Sequence, residues 1–241
     1  MAKEEDRKDQ LPTARKAAEV EAFLSQVKAM QAVKPASGRG RLIFALDATA
    51  SREATWDRAC RLQGEMFDAT AAMGVLDVQL VFYRGFDGCK ASRWLGTAAD
   101  LHRAMRSVSC VGGTTQIARV LTHTLKEARA NKVNALIFVG DAMEEKVDEL
   151  SRLAGELGIL GAPVFVFHED GDEIAGRAFR QIAKLSGGAY CPFDAGSAQQ
   201  LRDLLGAVAA FAVGGRPALA DYGKRTGGAA QLLAGSVGDR K

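Results

Sequence analysis

The chain has 241 residues, 47% of them hydrophobic and 25% charged, with a net charge of +3 at neutral pH. That length suits one substantial α/β domain with extensions, and the composition is that of a soluble globular protein. No apolar run approaches the roughly 18 residues of a membrane span, which sets integration into a bilayer aside.

"MAKEEDRKDQ" at the start mixes charges with no apolar stretch behind it, so a secretory leader is not expected. Cys60, Cys89, Cys110 and Cys191 are scattered with no C-x-x-C pair, the pattern of reduced thiols in a cytoplasmic protein. Residues 13–32 place Val20, Phe23, Leu24, Val27 and Met30 on one helical stripe. "VKPASGRGR" then breaks the helix, making 1–39 a helix and linker.

"RLIFALD" (41–47) is a continuous apolar run, as in a parallel strand buried on both faces. A helix follows from about Trp56 to Met73, with Cys60, Leu62, Met66 and Phe67 inward. "LDVQLVFYRG" (76–85) is a second strand, and "CKASRWL" (89–95) alternates like a half-exposed edge strand, antiparallel across a short turn. Helices over 97–108 and 117–130 bracket the loop "VGGTTQ". "NALIFVGD" (134–141) is another buried strand, followed by a helix over 144–157, a strand over 162–170 and a helix over 172–187. A short strand (189–194) and a closing helix (197–214) complete the unit.

Strands alternating with helices predict a doubly wound α/β fold: a mostly parallel sheet, one antiparallel edge strand, and helices on both faces. The domain spans 40–213, and 214–241 is a flexible, basic, Gly-rich tail. In that tail Arg216, Lys224, Arg225, Arg240 and Lys241 face only Asp221 and Asp239. The tail therefore carries the whole positive excess, and the body offers no electrostatic footprint for nucleic acid.

Ligands of such sheets sit at the carboxyl ends of the strands. Three of those ends carry matching chemistry. The first strand ends on Asp47, with Thr49 and Ser51 at even spacing; the loop "VGGTTQ" offers Thr114 and Thr115 beside Gly112 and Gly113; the buried strand 134–140 ends on Asp141. An N-cap is the ordinary reading of any one of these loops. Together they form an oxygen-only donor set of carboxylates and hydroxyls, which selects Mg²⁺ or Mn²⁺ over zinc or copper. His102, His123 and His168 show no ligand spacing and are read as surface or packing residues. The dinucleotide fingerprint and the P-loop are both missing from the sequence.

Asp47-Ala48-Thr49-Ala50-Ser51, the Gly-Gly-Thr-Thr loop and Asp141 resemble the metal-ion-dependent adhesion site (MIDAS) of von Willebrand factor type A (VWA) domains. The likeness covers roughly residues 40–213. It implies a metal held by Asp47, Thr49, Ser51, Thr115 and Asp141, with Thr114 the neighbouring alternative to Thr115. It also implies a non-enzymatic adaptor that captures an Asp or Glu carboxylate of a partner protein, such as an AAA+ ATPase or a member of a multiprotein assembly. Thr49 stands where the family pattern has Ser, and "VGDAMEE" where "TDG" is commoner. Two rival readings are a phosphatase of the haloacid dehalogenase type and a metal-free VWA scaffold. The phosphatase needs a second Asp where this chain has Thr49.

Overall fold

The computed structural model describes residues 40–52, 76–169, 171–193 and 206–214, with isolated positions at 23, 25, 26, 203, 217, 218, 221 and 222. Six strands form one sheet: β1 (Gly40–Asp47), β2 (Leu76–Arg84), β3 (Gly88–Leu95), β4 (Ala135–Gly140), β5 (Val164–Glu169) and β6 (Ala189–Phe193). Their order is β3-β2-β1-β4-β5-β6. All neighbours run parallel except β2 and β3, which pair antiparallel. The expected architecture is therefore present, edge strand included.

Burial explains the apolar runs. Leu42 to Leu46, Leu136 and Ile137, and Val164 to Phe167 are all fully buried. Such strands touch protein on both faces and have no solvent side to alternate towards. On one face Leu42, Phe44, Leu46, Val78 and Leu80 pack with α1 (Ala98–Arg106), the helical residues 206–214 and Phe23. On the other, Ile43, Ala45, Val81 and Tyr83 meet α2 (Ile117–Ala130), α3 (Val147–Ile159) and α4 (Glu173–Ser186).

Of the N-terminal helical stripe, Phe23 is described: it is helical, buried, and its ring lies 5.5 Å from that of Phe167. The helix expected over 56–73 and most of 13–32 lie outside the described residues. Most of the tail does too, but Tyr222 is buried, and its hydroxyl fills the space a Cβ on Gly206 would need. One residue beyond Gly214 thus packs on the domain.

Helix ends follow local chemistry. Thr97 caps α1 by accepting from Asp100 N–H, and Asp172 caps α4 by accepting from Ala175 N–H. Gly187 ends α4 in the left-handed region, φ 72°, where a side chain would be strained. The helix expected from Glu144 begins instead at Val147. The carboxylates of Glu144 and Glu145 are used elsewhere, on backbone N–H groups of the preceding loop and helix.

Candidate metal centre at the carboxyl end of the sheet

Parallel pairing sets Asp47 of β1 beside Tyr83 of β2, and Gly140 of β4 beside His168 of β5. Residues at or next to the ends of four adjacent strands therefore form one row at the carboxyl edge, on the face covered by α2, α3 and α4. Gly140 keeps this row compact, since a Cβ there would stand 2.9 Å from the Phe138 ring and 3.8 Å from Asp47 Cβ.

Asp47 is fully buried and held at both oxygens. Oδ1 accepts from Thr49 N–H at 2.7 Å, and Oδ2 accepts from the Tyr83 hydroxyl at 2.9 Å. Burial pushes its carboxyl above the usual range; the Thr49 hydrogen bonds pull it back, and the nearby Asp141 charge raises it again. Burial also raises the Tyr83 phenol well above its ordinary value, with the Asp47 charge adding to the effect, so it stays a donor. Thr49 and Ser51 share a hydrogen bond between their hydroxyls at 3.0 Å. Thr49 is buried, whereas Ser51 is exposed.

The loop before α2 is strapped to this edge through backbone atoms. Val111 N–H donates to Ala48 O at 3.1 Å, and Thr114 N–H to Gly85 O at 3.2 Å. Gly113 backs so closely onto Gly85 that a Cβ would stand 2.1 Å from its carbonyl oxygen. Close approach requires a glycine there, whereas Gly112 faces open space. Thr115 is buried and Thr114 is exposed. The Thr115 hydroxyl accepts from Glu144 N–H, while its own N–H donates to the Glu144 carboxylate, both at 3.1 Å. Geometry therefore favours Thr115 over Thr114 as the inward hydroxyl.

Asp141 follows β4, close enough to Asp47 for its charge to raise the Asp47 carboxyl. Its Oδ1 is buried and has no hydrogen-bond partner. Its carbonyl accepts from His168 Nε2 at 3.2 Å, and His168 Nδ1 takes the Tyr190 hydroxyl at 2.9 Å. A carbonyl can only accept, so Nε2 carries a proton in this contact. Burial lowers the His168 pKa, partly offset by its bond to Asp141. His168 thus packs, as expected, and also holds the backbone of Asp141.

Two carboxylates near one another, one with a buried oxygen lacking a partner, suit a cation. Asp47, Thr49, Ser51, Thr115 and Asp141 are all oxygen donors, and two negative charges match a hard divalent ion. The fit is good on these grounds. Among the described residues there is no cluster of three or more His, Cys, Asp or Glu placed to hold a metal, so a soft or carboxylate-rich site is not seen. Sequence reading missed Tyr83, His168, Glu144 and Glu145. Tyr83 had one signal, a hydroxyl on the inward parity of a buried strand.

No protein-family model matches the sequence, and no curated protein matches it. Solved structures do resemble the fold. The SpRpn10 VWA domain is 9% identical, with a TM-score of 0.54 over 68% of this chain and 94% of that one. Manganese-loaded TRAP from Plasmodium vivax is 17% identical, TM-score 0.52, over 70% of this chain and 74% of that one. Mussel byssus proximal thread matrix protein 1, with a zinc-occupied MIDAS motif, is 18% identical, TM-score 0.54, over 73% of this chain. The match spans 48% of that protein and 30% of the pilus adhesin SpaC from Lactobacillus rhamnosus GG. The fold is that of a VWA domain.

Proposed function

We propose that this VWA fold serves as a metal-dependent protein-binding domain that captures a carboxylate of a partner protein. The observation that carries the reading is the buried Oδ1 of Asp141, unpartnered beside the buried carboxylate of Asp47. Asp47, Thr49, Ser51, Thr115 and Asp141 would hold the ion, Mg²⁺ or Mn²⁺. When bound, it supplies an electrophilic position for an Asp or Glu oxygen from outside.

The chain's own residues prepare that position. Tyr83 and Thr49 orient Asp47; His168 fixes the Asp141 backbone; Glu144 pins Thr115. Ser51 lies exposed at the rim, where a partner can reach it. The two carboxylates balance a divalent charge and the hydroxyls add none, so an incoming carboxylate meets no net repulsion.

The solved proteins that bear manganese or zinc support a divalent ion in general. The reading assigns binding rather than catalysis, and a domain of 40–213 extended by the contact of Tyr222. An AAA+ ATPase or multiprotein assembly is the partner class we favour, in the cytoplasm, which suits scattered cysteines with no C-x-x-C pair. No helix of the described residues is long and apolar enough to cross a membrane.

The test is capture of partner proteins from the native cell extract with millimolar Mg²⁺ or with EDTA, followed by binding of the purified partner. Metal and partner must raise each other's affinity by the same factor. Wild type should bind only with metal, and Asp47→Ala and Thr115→Ala should lose binding while keeping the far-UV spectrum. Binding indifferent to EDTA and to both substitutions would leave the metal-free scaffold as the better reading. Release of phosphate from p-nitrophenyl phosphate would point to the phosphatase instead.

A further inference from the structure

The Tyr83 ring is fully buried and stacked on Phe138 with centroids 6.4 Å apart. A phenylalanine would fill that space equally well, so the packing does not call for a hydroxyl. The hydroxyl points at Asp47 Oδ2, 2.9 Å away, and the strand register holds the two residues side by side. Asp47 Oδ1 already accepts from Thr49 N–H. An ion approaching Asp47 therefore meets a carboxylate with a hydrogen bond on each oxygen, that on Oδ2 from a fully buried hydroxyl.

We propose that Tyr83 is a positioning residue that sets cation selectivity, by holding Asp47 Oδ2 and limiting this carboxylate to one-oxygen contact. This rests on the metal-binding reading of the same site. Ca²⁺ takes about 6–8 oxygens and commonly gathers them from two-oxygen carboxylates, whereas Mg²⁺ needs a tight octahedron of about six. Two-oxygen contact by Asp47 would make Oδ2 serve the ion as well as the Tyr83 hydroxyl, weakening a hydrogen bond in a fully buried place where water does not replace it. The cost falls on the larger ion. Small octahedral ions, Mg²⁺ and Mn²⁺, use a single oxygen and leave the Tyr83 bond intact.

The experiment titrates the metal-stripped full-length protein with Mn²⁺ and separately with Ca²⁺ by calorimetry, for wild type and Tyr83→Phe. Asp141→Ala serves as the variant that should lose both ions. Wild type should prefer Mn²⁺, and Tyr83→Phe should shrink that preference by about tenfold, mostly through tighter Ca²⁺ binding. An unchanged preference with both ions still bound overturns the role of Tyr83 and leaves the metal site standing. No binding of either ion by wild type overturns both. Should Tyr83→Phe not fold, the infrared carboxylate bands of the Ca²⁺-loaded wild type decide, with Asp47→Asn identifying the Asp47 bands. One-oxygen contact supports the proposal, and two-oxygen contact overturns it.

Discussion

At the amino end of β1 the guanidinium of Arg41 lies 3.8 Å over the Trp94 ring and pairs with Glu127 at 3.2 Å. At the carboxyl end of the same strand, Asp47 shares its surroundings with a second carboxylate, Asp141, and no described cation is paired with either. Glu127 also accepts from the Trp94 indole N–H at 3.0 Å, and the Arg41 backbone is clamped by Asn134. Charge at the amino end is balanced within the chain, apart from one Arg41 nitrogen that has no hydrogen bond. Among the described residues, charge at the carboxyl end is not. Desolvated like charges are costly, and a fold keeps them where something from outside supplies the missing sign. On the proposed reading, the contrast separates an end built for stability from an end built for binding.

The largest test of that contrast is at Asp141. With Mn²⁺ or Mg²⁺ at about 100 times Kd, binding should stabilise wild type by about 2.7 kcal/mol. Asp141→Ala should lose that increment, and without metal it should melt no lower than wild type, because it removes a carboxylate with a buried, unpartnered oxygen. Melting with and without EDTA measures both. A metal-free Asp141→Ala that melts well below wild type would show the carboxylate to be structural.

Glu127→Ala is the mirror experiment. It strands a half-buried guanidinium and an indole N–H, so it should cost about 1–3 kcal/mol by urea unfolding. The metal-induced rise in melting temperature should be untouched. A reduced rise would mean that the two ends communicate, and the division between them would fall.

Much of this arrangement was legible from sequence, for a physical reason. Strands buried on both faces read as unbroken apolar runs, and α2 runs over 117–130 as its periodicity predicts. The VWA likeness came from spacing within single segments, such as Asp47, Thr49 and Ser51. What was not legible depends on neighbours in space. Tyr83 meets Asp47 only because parallel register pairs them, and His168 meets Asp141 only across β4 and β5. The choice of Thr115 over Thr114 turns on which hydroxyl is buried. The start of α3 was placed three residues early because Glu144 and Glu145 are good helix formers. Contacts made with other loops decided otherwise.

Those two glutamates supply the smallest and most local test of the binding end. The N-cap of α2 is Gln116, whose side chain makes no capping bond, so the helix's first N–H groups need an outside acceptor. Glu145 is that acceptor: its carboxylate takes Ile117 N–H and, at 2.8 Å, Ala118 N–H. A carboxylate at a helix N-terminus is favoured by the helix dipole as well. The same residue stands four positions after Asp141, so its bonds tie the Asp141 loop to the helix that follows Thr115. Glu145→Ala should behave like the loss of an N-cap and cost about 1 kcal/mol in urea unfolding. It should also weaken Mn²⁺ binding by calorimetry, since Thr115 and Asp141 would no longer be held in register by a common strut. Glu145→Gln keeps one accepting oxygen and should recover part of both losses. If Glu145→Ala binds Mn²⁺ as wild type does, the loops are held independently and Glu145 is a cap for α2 alone.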